Sequence, residues 1–593
     1  MKLAYKDNRV EQVMLWVNLT AAAVVVATFV ALFGFTEPLV SAPLLYGAQG
    51  LLLVVFIAEK VVRLNNAQHK PEFVRAHWYE IPLLAGLAVA LGGSAAWFGQ
   101  AEASAVRHLA VGIYLVLQVV FKVCRRTVDL AATGRNPTMI LISSFVVLIV
   151  AGAGMLMLPR ASRGEPVSFV DALFTATSAT CVTGLVVKDT GQDFTFMGHC
   201  VILGLIQLGG LGIVIFGAVF ALLLGQALSV RESVAMQDLL SAQTVGRIGN
   251  MIAFIFFGTL LFEVLGAVGL YAMWDDVEGW SGGMGKQWFY SVFHSVSAFC
   301  NAGFGLFGDS FVRYSRCWSV YAVVCPLIIF GGLGWGVLYN LSNIAADRVS
   351  RFFKKLCFKE CRFSMEVPKR LRLQTKIVLW VSGILIVCGT AAILFMERYG
   401  NNCGSGRLDL PGAFFQSVTS RTAGFNTVDI AAMSDSSKTV LILLMFVGGS
   451  PGSTSGGIKT VTLAVIVAAV IAALRKRGEV ELFKRSIRVV VVGRAITVTA
   501  LFVVVLFSAA LALSVTERGS GFAMLDILFE TASALGTVGL TTGVTPVLTS
   551  AGKWIIIAAM LIGRLGPLTL MAALTFNLKP VRYSYPDEAI VVG

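Results

Sequence analysis

Residues 533–540 read SALGTVGL, and the same outline occurs three more times: SATCVTGL at 178–185, SAFCNAGF at 297–304 and VTSRTAGF at 418–425. Aligned on one glycine (Gly184, Gly303, Gly424, Gly539), the copies are separated by 119, 121 and 115 residues. A near-constant period around a shared core signals internal duplication. Four such units in one polypeptide point to pseudo-fourfold symmetry about a central axis. Each copy ends an apolar segment of only 10–13 residues (VDALFTATSAT, WFYSVFHSVSAFC, PGAFFQSVTS, MLDILFETASAL), too short to cross a bilayer, so each reads as a re-entrant half-helix. Pro411 suits the first turn of the third.

Outward from these copies the chain is built for lipid. It has 593 residues, 56% of them hydrophobic and 13% charged, with mean hydropathy +0.80. Soluble domains are nearer a quarter charged, so the composition indicates an all-α polytopic membrane protein. Residues 1–137 form an N-terminal extension of four transmembrane helices, at roughly 11–33, 39–59, 80–98 and 107–121. The first is too long for the apolar part of a removable signal and lacks a clear cleavage site. From residue 138 a pattern of long span, half-helix, long span (M1–P–M2) repeats as pore units 138–230, 250–346, 374–475 and 489–580, followed by a tail at 581–593.

The net charge of +14 is concentrated in a few segments. Lys60–Arg75, Lys122–Arg135, Asp347–Lys376 and Arg475–Arg488 are basic, and the positive-inside rule places them in the cytoplasm. With the half-helices outside them, this gives twelve crossings, both termini cytoplasmic, in the cell (inner) membrane. Orientation therefore accounts for the charge, and nucleic acid is not expected as a partner. Cys357 and Cys361 lack a nearby histidine to complete a zinc set, and the five histidines show no metal-ligand spacing. No nucleophile–base or metal constellation points to an enzyme, and no cofactor is expected within the chain.

A dehydrated monovalent cation needs oxygen ligands to replace its water, and rings of backbone carbonyls supply them without binding it irreversibly. Chains that line such a ring adopt unusual φ values, which glycine tolerates best. The half-helices would aim their negative C-terminal ends at the cavity beneath. The candidate selectivity filter therefore comprises Thr180, Cys181, Val182, Thr183 and Gly184; Cys300, Asn301, Ala302 and Gly303; Arg421, Thr422, Ala423 and Gly424; and Gly536, Thr537, Val538 and Gly539. Potassium is expected at Thr183, Gly184, Asn301, Gly303, Thr422, Gly424, Thr537 and Gly539, with sodium as the other candidate ion. Arg421 would oppose cation entry if it faced the pore, so it is expected to point behind the filter, with Glu530 as candidate partner. Glu263 and Gln207 read as inter-helix hydrogen-bonding groups.

The third unit is interrupted by MFVGGSPGSTSGGIKT at 445–460, between the apolar runs TVLILLMFV and VTLAVIVAAVIAAL. A break at membrane depth is tolerated only where protein or a water-filled cavity takes up the freed backbone groups. It is not a nucleotide-binding P-loop, because Ile458 separates Gly457 from Lys459. Residues 448–460 read instead as a loop projecting into the pore beneath the filter. Gly448, Gly449, Gly452, Gly456 and Gly457 would let it move, and Lys459 would repel ions when turned inward. Arg564, in the middle of the last span, is costly there unless it faces a cavity or a partner. It is expected to set a positive barrier and to anchor the loop's carbonyls.

The motifs SATCVTGL, SAFCNAGFGLF, SRTAGFNTVDI and FETASALGTVGLTTG resemble the four pore loops of the Trk/Ktr/HKT superfamily of potassium transporters. IQLGGLGI at 206–213, GGLGWGVL at 331–338, FVGGSPGSTSGGIKT at 446–460 and IGRLGPLTL at 562–570 resemble its second spans, in family order. The resemblance covers about residues 138–580 and implies the pore-forming membrane subunit of a potassium uptake system. It further implies a homodimer, with a cytosolic nucleotide-binding regulatory ring protein (TrkA/KtrA-like) as partner, and 448–460 as intramembrane gate. In plant relatives a serine at the first filter position accompanies sodium selectivity, so Gly184 favours potassium. Flux driven by membrane potential is the first expectation and sodium-coupled potassium symport the second. A broken-helix transporter of an organic solute would show inverted repeats, whereas these repeats share one orientation.

Overall fold

The structure, a computed structural model, describes residues 6–566 apart from 39, 77, 79, 98–99, 133–136, 213–217, 220–247, 277–282, 358–368 and 400–407. The longer helices are numbered in chain order. Four form the N-terminal bundle: α1 (Asn8–Phe33), α2 (Ala42–Asn66), α3 (Glu80–Trp97) and α4 (Gln100–Ala132). Asp7 caps α1 by accepting a hydrogen bond from the Arg9 amide. The bundle packs around Val25, Leu52, Phe56, Leu87 and Leu115. Helix α4 runs well past residue 121, because its basic continuation remains rich in good helix formers such as alanine, leucine and arginine. Lys60, Arg63 and Lys122 are not simply free orientation charges. Arg63 lies 2.9 Å from both Glu11 and Glu59, Lys122 lies 3.8 Å from Glu59, and Lys60 meets Glu80. With Glu59 only 2% exposed, this is an interior ion-pair cluster.

Three helical elements then recur four times: α5 (Pro137–Leu156), α6 (Phe169–Cys181) and α7 (Phe196–Leu211); α8 (Ile248–Leu270), α9 (Met284–Phe299) and the pair α10 (Cys325–Leu333) and α11 (Trp335–Cys357); α12 (Leu373–Tyr399), α13 (Leu410–Thr419) and the pair α14 (Asp435–Phe446) and α15 (Thr460–Leu474); α16 (Val489–Thr516), α17 (Met524–Gly536) and α18 (Ser550–Leu565). The short members α6, α9, α13 and α17 are the half-helices. Ser168, whose hydroxyl accepts from the Asp171 amide, starts the first, and Pro411 lies in the first turn of the third.

Helices α7, α10 and α18 each end at a glycine with positive φ: Gly212 (82°), Gly334 (83°) and Gly566 (84°). In unit two this bends the span by 104° between α10 and α11. Five described helices are individually long and apolar enough to cross a membrane, and the bent pair adds a sixth. Shorter apolar helices include Phe196–Leu211 and Thr460–Leu474.

The basic connection at 475–488 holds the one sheet among the described residues, an antiparallel hairpin pairing Val480–Leu482 with Arg485–Ile487. Phe483 and Lys484 both have positive φ at its turn, the backbone that a tight two-residue hairpin requires. The expected end of the unit-one span (220–230), Cys361 with part of its basic loop, the end of the last span (567–580) and the tail 581–593 lie outside the described residues.

Candidate functional site

Each half-helix ends a few residues before its aligned glycine, and the four glycines close a ring. They have φ of 92° (Gly184), 71° (Gly303), 80° (Gly424) and 93° (Gly539). A Cβ placed on Gly184 would meet the Ala302 carbonyl oxygen at 2.6 Å, one on Gly303 the Ala423 oxygen at 2.7 Å, and one on Gly424 the Val538 oxygen at 2.5 Å. A Cβ on Gly539 would overlap the Thr183 oxygen, which returns the circuit to unit one. Each glycine thus lies against the carbonyl that precedes the glycine of the next unit, in the order one, two, three, four. Glycine is needed twice over, for its left-handed backbone and for the absent side chain.

A second left-handed residue stands two positions before each glycine: Val182 (57°), Asn301 (59°), Thr422 (78°) and Thr537 (51°). Three of these are β-branched, for which this conformation costs on the order of 1–3 kcal/mol and persists only where the surroundings impose it. The half-helices impose it. The amides of Thr183, Ala302 and Val538 donate to the Ser178, Ser297 and Ser533 carbonyls at 2.8, 2.7 and 2.8 Å, and the Ala423 amide donates to Thr419 at 2.9 Å. The Gly184 and Gly539 amides donate to the hydroxyls of Ser178 and Ser533 at 3.1 and 3.0 Å. These amides are thereby turned back onto the helices. The carbonyls of Thr183, Ala302, Ala423 and Val538 accept no hydrogen bond among the described residues. They remain available to a ligand.

The remaining filter candidates divide by position. Thr180 belongs to the last turn of α6, where Gly209 of α7 packs so closely on its carbonyl that a Cβ would overlap it. Cys181, Cys300, Arg421 and Gly536 share one offset from the aligned glycines. Cys181 is fully buried in an apolar cluster. The Cys300 thiol sits 3.7 Å from Gln207 Oε1, and Gly536 packs on the Met445 carbonyl. Arg421 turns behind the ring, where its Nη2 donates to Ser382 Oγ at 3.2 Å. Its expected partner is otherwise engaged: Glu530 accepts from Thr541 Oγ1, from the Thr542 amide at 3.2 Å and from Thr545 Oγ1 at 2.8 Å. Which face of a half-helix each of these residues occupies is a three-dimensional fact that their spacing does not carry. Gln207 of α7 meets the Cys300 thiol of unit two, and Glu263 of α8 is buried with its Oε1 unpartnered among the described residues.

The interrupted stretch lies beneath the ring. Between α14 and α15 the chain leaves helix, and its two arms pair where the Gly448 amide donates to the Ile458 carbonyl at 2.9 Å and the Thr460 amide to Gly449 at 3.1 Å. Its tip joins opposite units. Ser455 Oγ is 3.0 Å from the Asn301 amide group of unit two, and the Gly456 amide donates to Thr537 Oγ1 of unit four at 3.1 Å. A Cβ on Gly456 would strike Thr537. The Gly452 carbonyl accepts from the Trp335 amide at 3.0 Å, and the Ser450 amide donates to Gly332 at 3.0 Å. Gly457 has φ 66°.

Arg564 of unit four ties this loop to unit one as well. It occupies the position taken by Gly210, Gly332 and Gly449 in the other units. Its guanidinium donates through Nη1 to the Thr454 carbonyl, and through Nη2 to Gly209 and Gly210 of unit one at 2.7 and 3.3 Å. Lys459 is folded onto its own loop. Its ammonium donates to the loop's own Ser455 and Gly456 carbonyls at 2.6 and 3.4 Å, because carbonyls released from a helix are the nearest acceptors.

Two ion pairs were not anticipated. Lys438 Nζ of unit three lies 3.4 Å from Asp526 of unit four, and Lys553 Nζ of unit four lies 2.6 Å from Asp171 of unit one. The signal was present in the repeat: both lysines follow their aligned glycine by 14 residues, and both aspartates precede theirs by 13.

Comparison with known proteins agrees with this architecture. A family described as TrkH, cation transport protein, matches residues 106–580. Ktr system potassium uptake protein B of Bacillus subtilis is 39% identical over 465 residues, spanning 77% of this chain and 97% of that one. Potassium/sodium uptake protein NtpJ of Enterococcus hirae is 36% identical over 466 residues, spanning 77% and 97%. The crystal structure of the potassium transporter TrkH from Vibrio parahaemolyticus shares the fold with a TM-score of 0.58 at 18% identity, covering 95% of this chain and 98% of that one. A match over most of the sequence, a relative that close and a shared all-helical membrane architecture lead to one conclusion: the chain belongs to the TrkH family of cation transport proteins.

Proposed function

We propose that this chain is the potassium-conducting membrane subunit of an uptake system, with potassium as its cargo and the glycine ring as its selectivity filter. The closed circuit of Gly184, Gly303, Gly424 and Gly539 against the preceding carbonyls of the next unit carries this reading. An ion on the axis would meet oxygens from all four units, contributed by Thr183, Ala302, Ala423 and Val538 and by the glycines themselves. The four half-helices point their C-terminal ends toward it, which favours a cation. An inside-negative potential supplies about 2.3 kcal/mol per charge per 100 mV, so uptake needs no chemical step in this chain.

The loop at 448–460 acts as the gate. A tip bonded to units two and four at once lies across the axis, so this arrangement is the blocked one. Arg564 holds it through Thr454, and opening requires those bonds to break. Lys459, folded onto the loop carbonyls, stiffens the tip. Several relatives are named as parts of a "system", among them the B and D proteins of the Ktr system and TrkH of the Trk system. On that basis the chain works as a homodimer with a cytosolic nucleotide-binding regulatory ring supplied by another polypeptide. Both termini face the cytoplasm.

Potassium influx into proteoliposomes under an imposed potential tests the reading. Potential-driven influx that prefers potassium to sodium supports it, and no influx with or without the candidate regulatory ring overturns it. One relative is named a potassium/sodium uptake protein, which favours sodium-coupled symport as the second reading. An absolute requirement for sodium in the same vesicles would select it.

A further inference from the structure

The strands that form the ring must also be held on their outer side, and the four units do this differently. Nine residues before each aligned glycine, on the half-helix, stand Thr175, His294, Phe415 and Glu530. In units two and four that side chain reaches over the strand to the third residue beyond the glycine. The Leu306 amide donates to His294 Nε2 at 3.2 Å, and the Thr542 amide donates to Glu530 Oε1 at the same distance. One is an imidazole and the other a carboxylate, yet each supplies an acceptor to the same backbone position.

Both are built in rather than incidental. His294 is 1% exposed and Glu530 fully buried. His294 Nδ1 lies 2.8 Å from the Tyr290 carbonyl. That contact requires Nδ1 to carry the proton and leaves Nε2 as the acceptor. Its ring is wedged among Trp274, Phe307 and Phe311. Glu530 is fixed by two threonine hydroxyls besides the amide. Units one and three have nothing comparable among the described residues: Phe415 carries no acceptor, and Thr175 Oγ1 has no partner there.

We propose that His294 and Glu530 are positioning residues that set cation discrimination by fixing the filter strands of units two and four from behind. This rests on the transport reading above and deepens it. Oxygens held at a fixed radius favour an ion of one size. Slack on the strand lets the ring shrink around a smaller ion. The ring is thereby stiff along the two–four diagonal, the one the gating loop spans from Asn301 to Thr537, and more compliant along one–three. Unlike Arg564 and the loop, these residues act on which ion passes rather than on whether the path is open.

The test compares His294→Phe, which keeps the aromatic packing but removes the acceptor, with His294→Gln, which can restore it. Glu530→Leu and Glu530→Gln form the matching pair, and Phe415→Leu with Thr175→Val are controls at the unheld positions. Potassium and sodium influx are measured in proteoliposomes. In parallel, potassium or sodium protection against thermal unfolding is measured in detergent, a readout that survives loss of flux. The acceptor-less variants are expected to lower the potassium/sodium ratio about tenfold in both assays. The glutamine variants should stay within threefold of the parent and the controls within twofold. Ratios in His294→Phe and Glu530→Leu within twofold of the parent would overturn the proposal, even if both proteins were less stable. If the parent itself discriminates in binding but moves no potassium, it is the transport reading that falls.

Discussion

Among the described residues, two boundaries of the pore ring are clamped by charge and two are not. Between units three and four Lys438 meets Asp526, and between units four and one Lys553 meets Asp171. The same offsets fall on Gly198 and Tyr290 between units one and two, and on Cys317 and Pro411 between units two and three. There the outer rim is packed by rings instead. Phe196 of unit one lies 4.7 Å from Phe289 of unit two, and Phe311 of unit two lies 5.0 Å from Phe425 of unit three. Backbone symmetry is therefore fourfold at the glycines and only partial at the side chains. Duplication supplied four copies of a strand, and in this chain each copy meets its left-handed backbone and its close neighbouring carbonyl with glycine. The means of joining neighbouring copies was free to diverge. The inner side diverges more, with a loop in unit three and an arginine in unit four where the other units have glycine.

The sharpest way to break the comparison is at the glycines, where the units should behave alike. Gly539→Ala places a methyl on the Thr183 oxygen and a side chain at φ 93°. It should abolish most potassium influx, tenfold or more, and erode discrimination in what remains. Gly184→Ala, Gly303→Ala and Gly424→Ala should do the same. Gly519→Ala, with open space around it, should leave influx unchanged. A ring glycine that tolerates alanine at full selective flux would show that its unit lies outside the filter.

The next effect belongs to the inner side, where the units should behave least alike. Arg564→Ala removes the donors to Thr454 and to Gly209 and Gly210. Freed from that hold, the loop should open more often, raising influx severalfold in the absence of any regulatory partner while leaving ion preference unchanged. Unaltered basal influx would mean that the loop's bonds to Asn301, Thr537 and Trp335 suffice to keep it in place.

Much of this was legible before any coordinates. The aligned glycines, the half-length helices, the interrupted third span and the singular Arg564 all follow from spacing and from the cost of polar backbone in lipid. The left-handed conformations at Val182, Thr422 and Thr537 were hidden because β-branched residues disfavour them, and only the completed ring compels them. The Arg421–Glu530 pairing failed for want of knowing which way each half-helix faces. In the N-terminal bundle, hydropathy marked Lys60, Arg63 and Lys122 as basic flanks. It could not show that Glu59 and Glu80 approach from other turns and other helices to pair with them.

The smallest effects should separate the two charged boundaries from each other. Lys553 and Asp171 are close, at 2.6 Å, with side chains 15% and 13% exposed. Removing one partner strands a largely buried charge, so Lys553→Met should cost on the order of 1–2 kcal/mol. Lys438 is 3.4 Å from Asp526 and also lies 3.9 Å from the exposed Asp435 of its own helix. A longer bond shared between two carboxylates couples less strongly, so Lys438→Met should cost less. Double-mutant cycles read this directly, by comparing Lys553→Met with Asp171→Asn and Lys438→Met with Asp526→Asn through thermal midpoints of the purified chain. The four–one boundary should show the larger coupling, and potassium preference should be unaffected in all four single variants. Equal couplings would mean that distance does not rank these pairs. A shift in ion preference would mean that the rim clamps reach the ring itself, making the charged boundaries part of the filter's rigidity rather than only of the fold's.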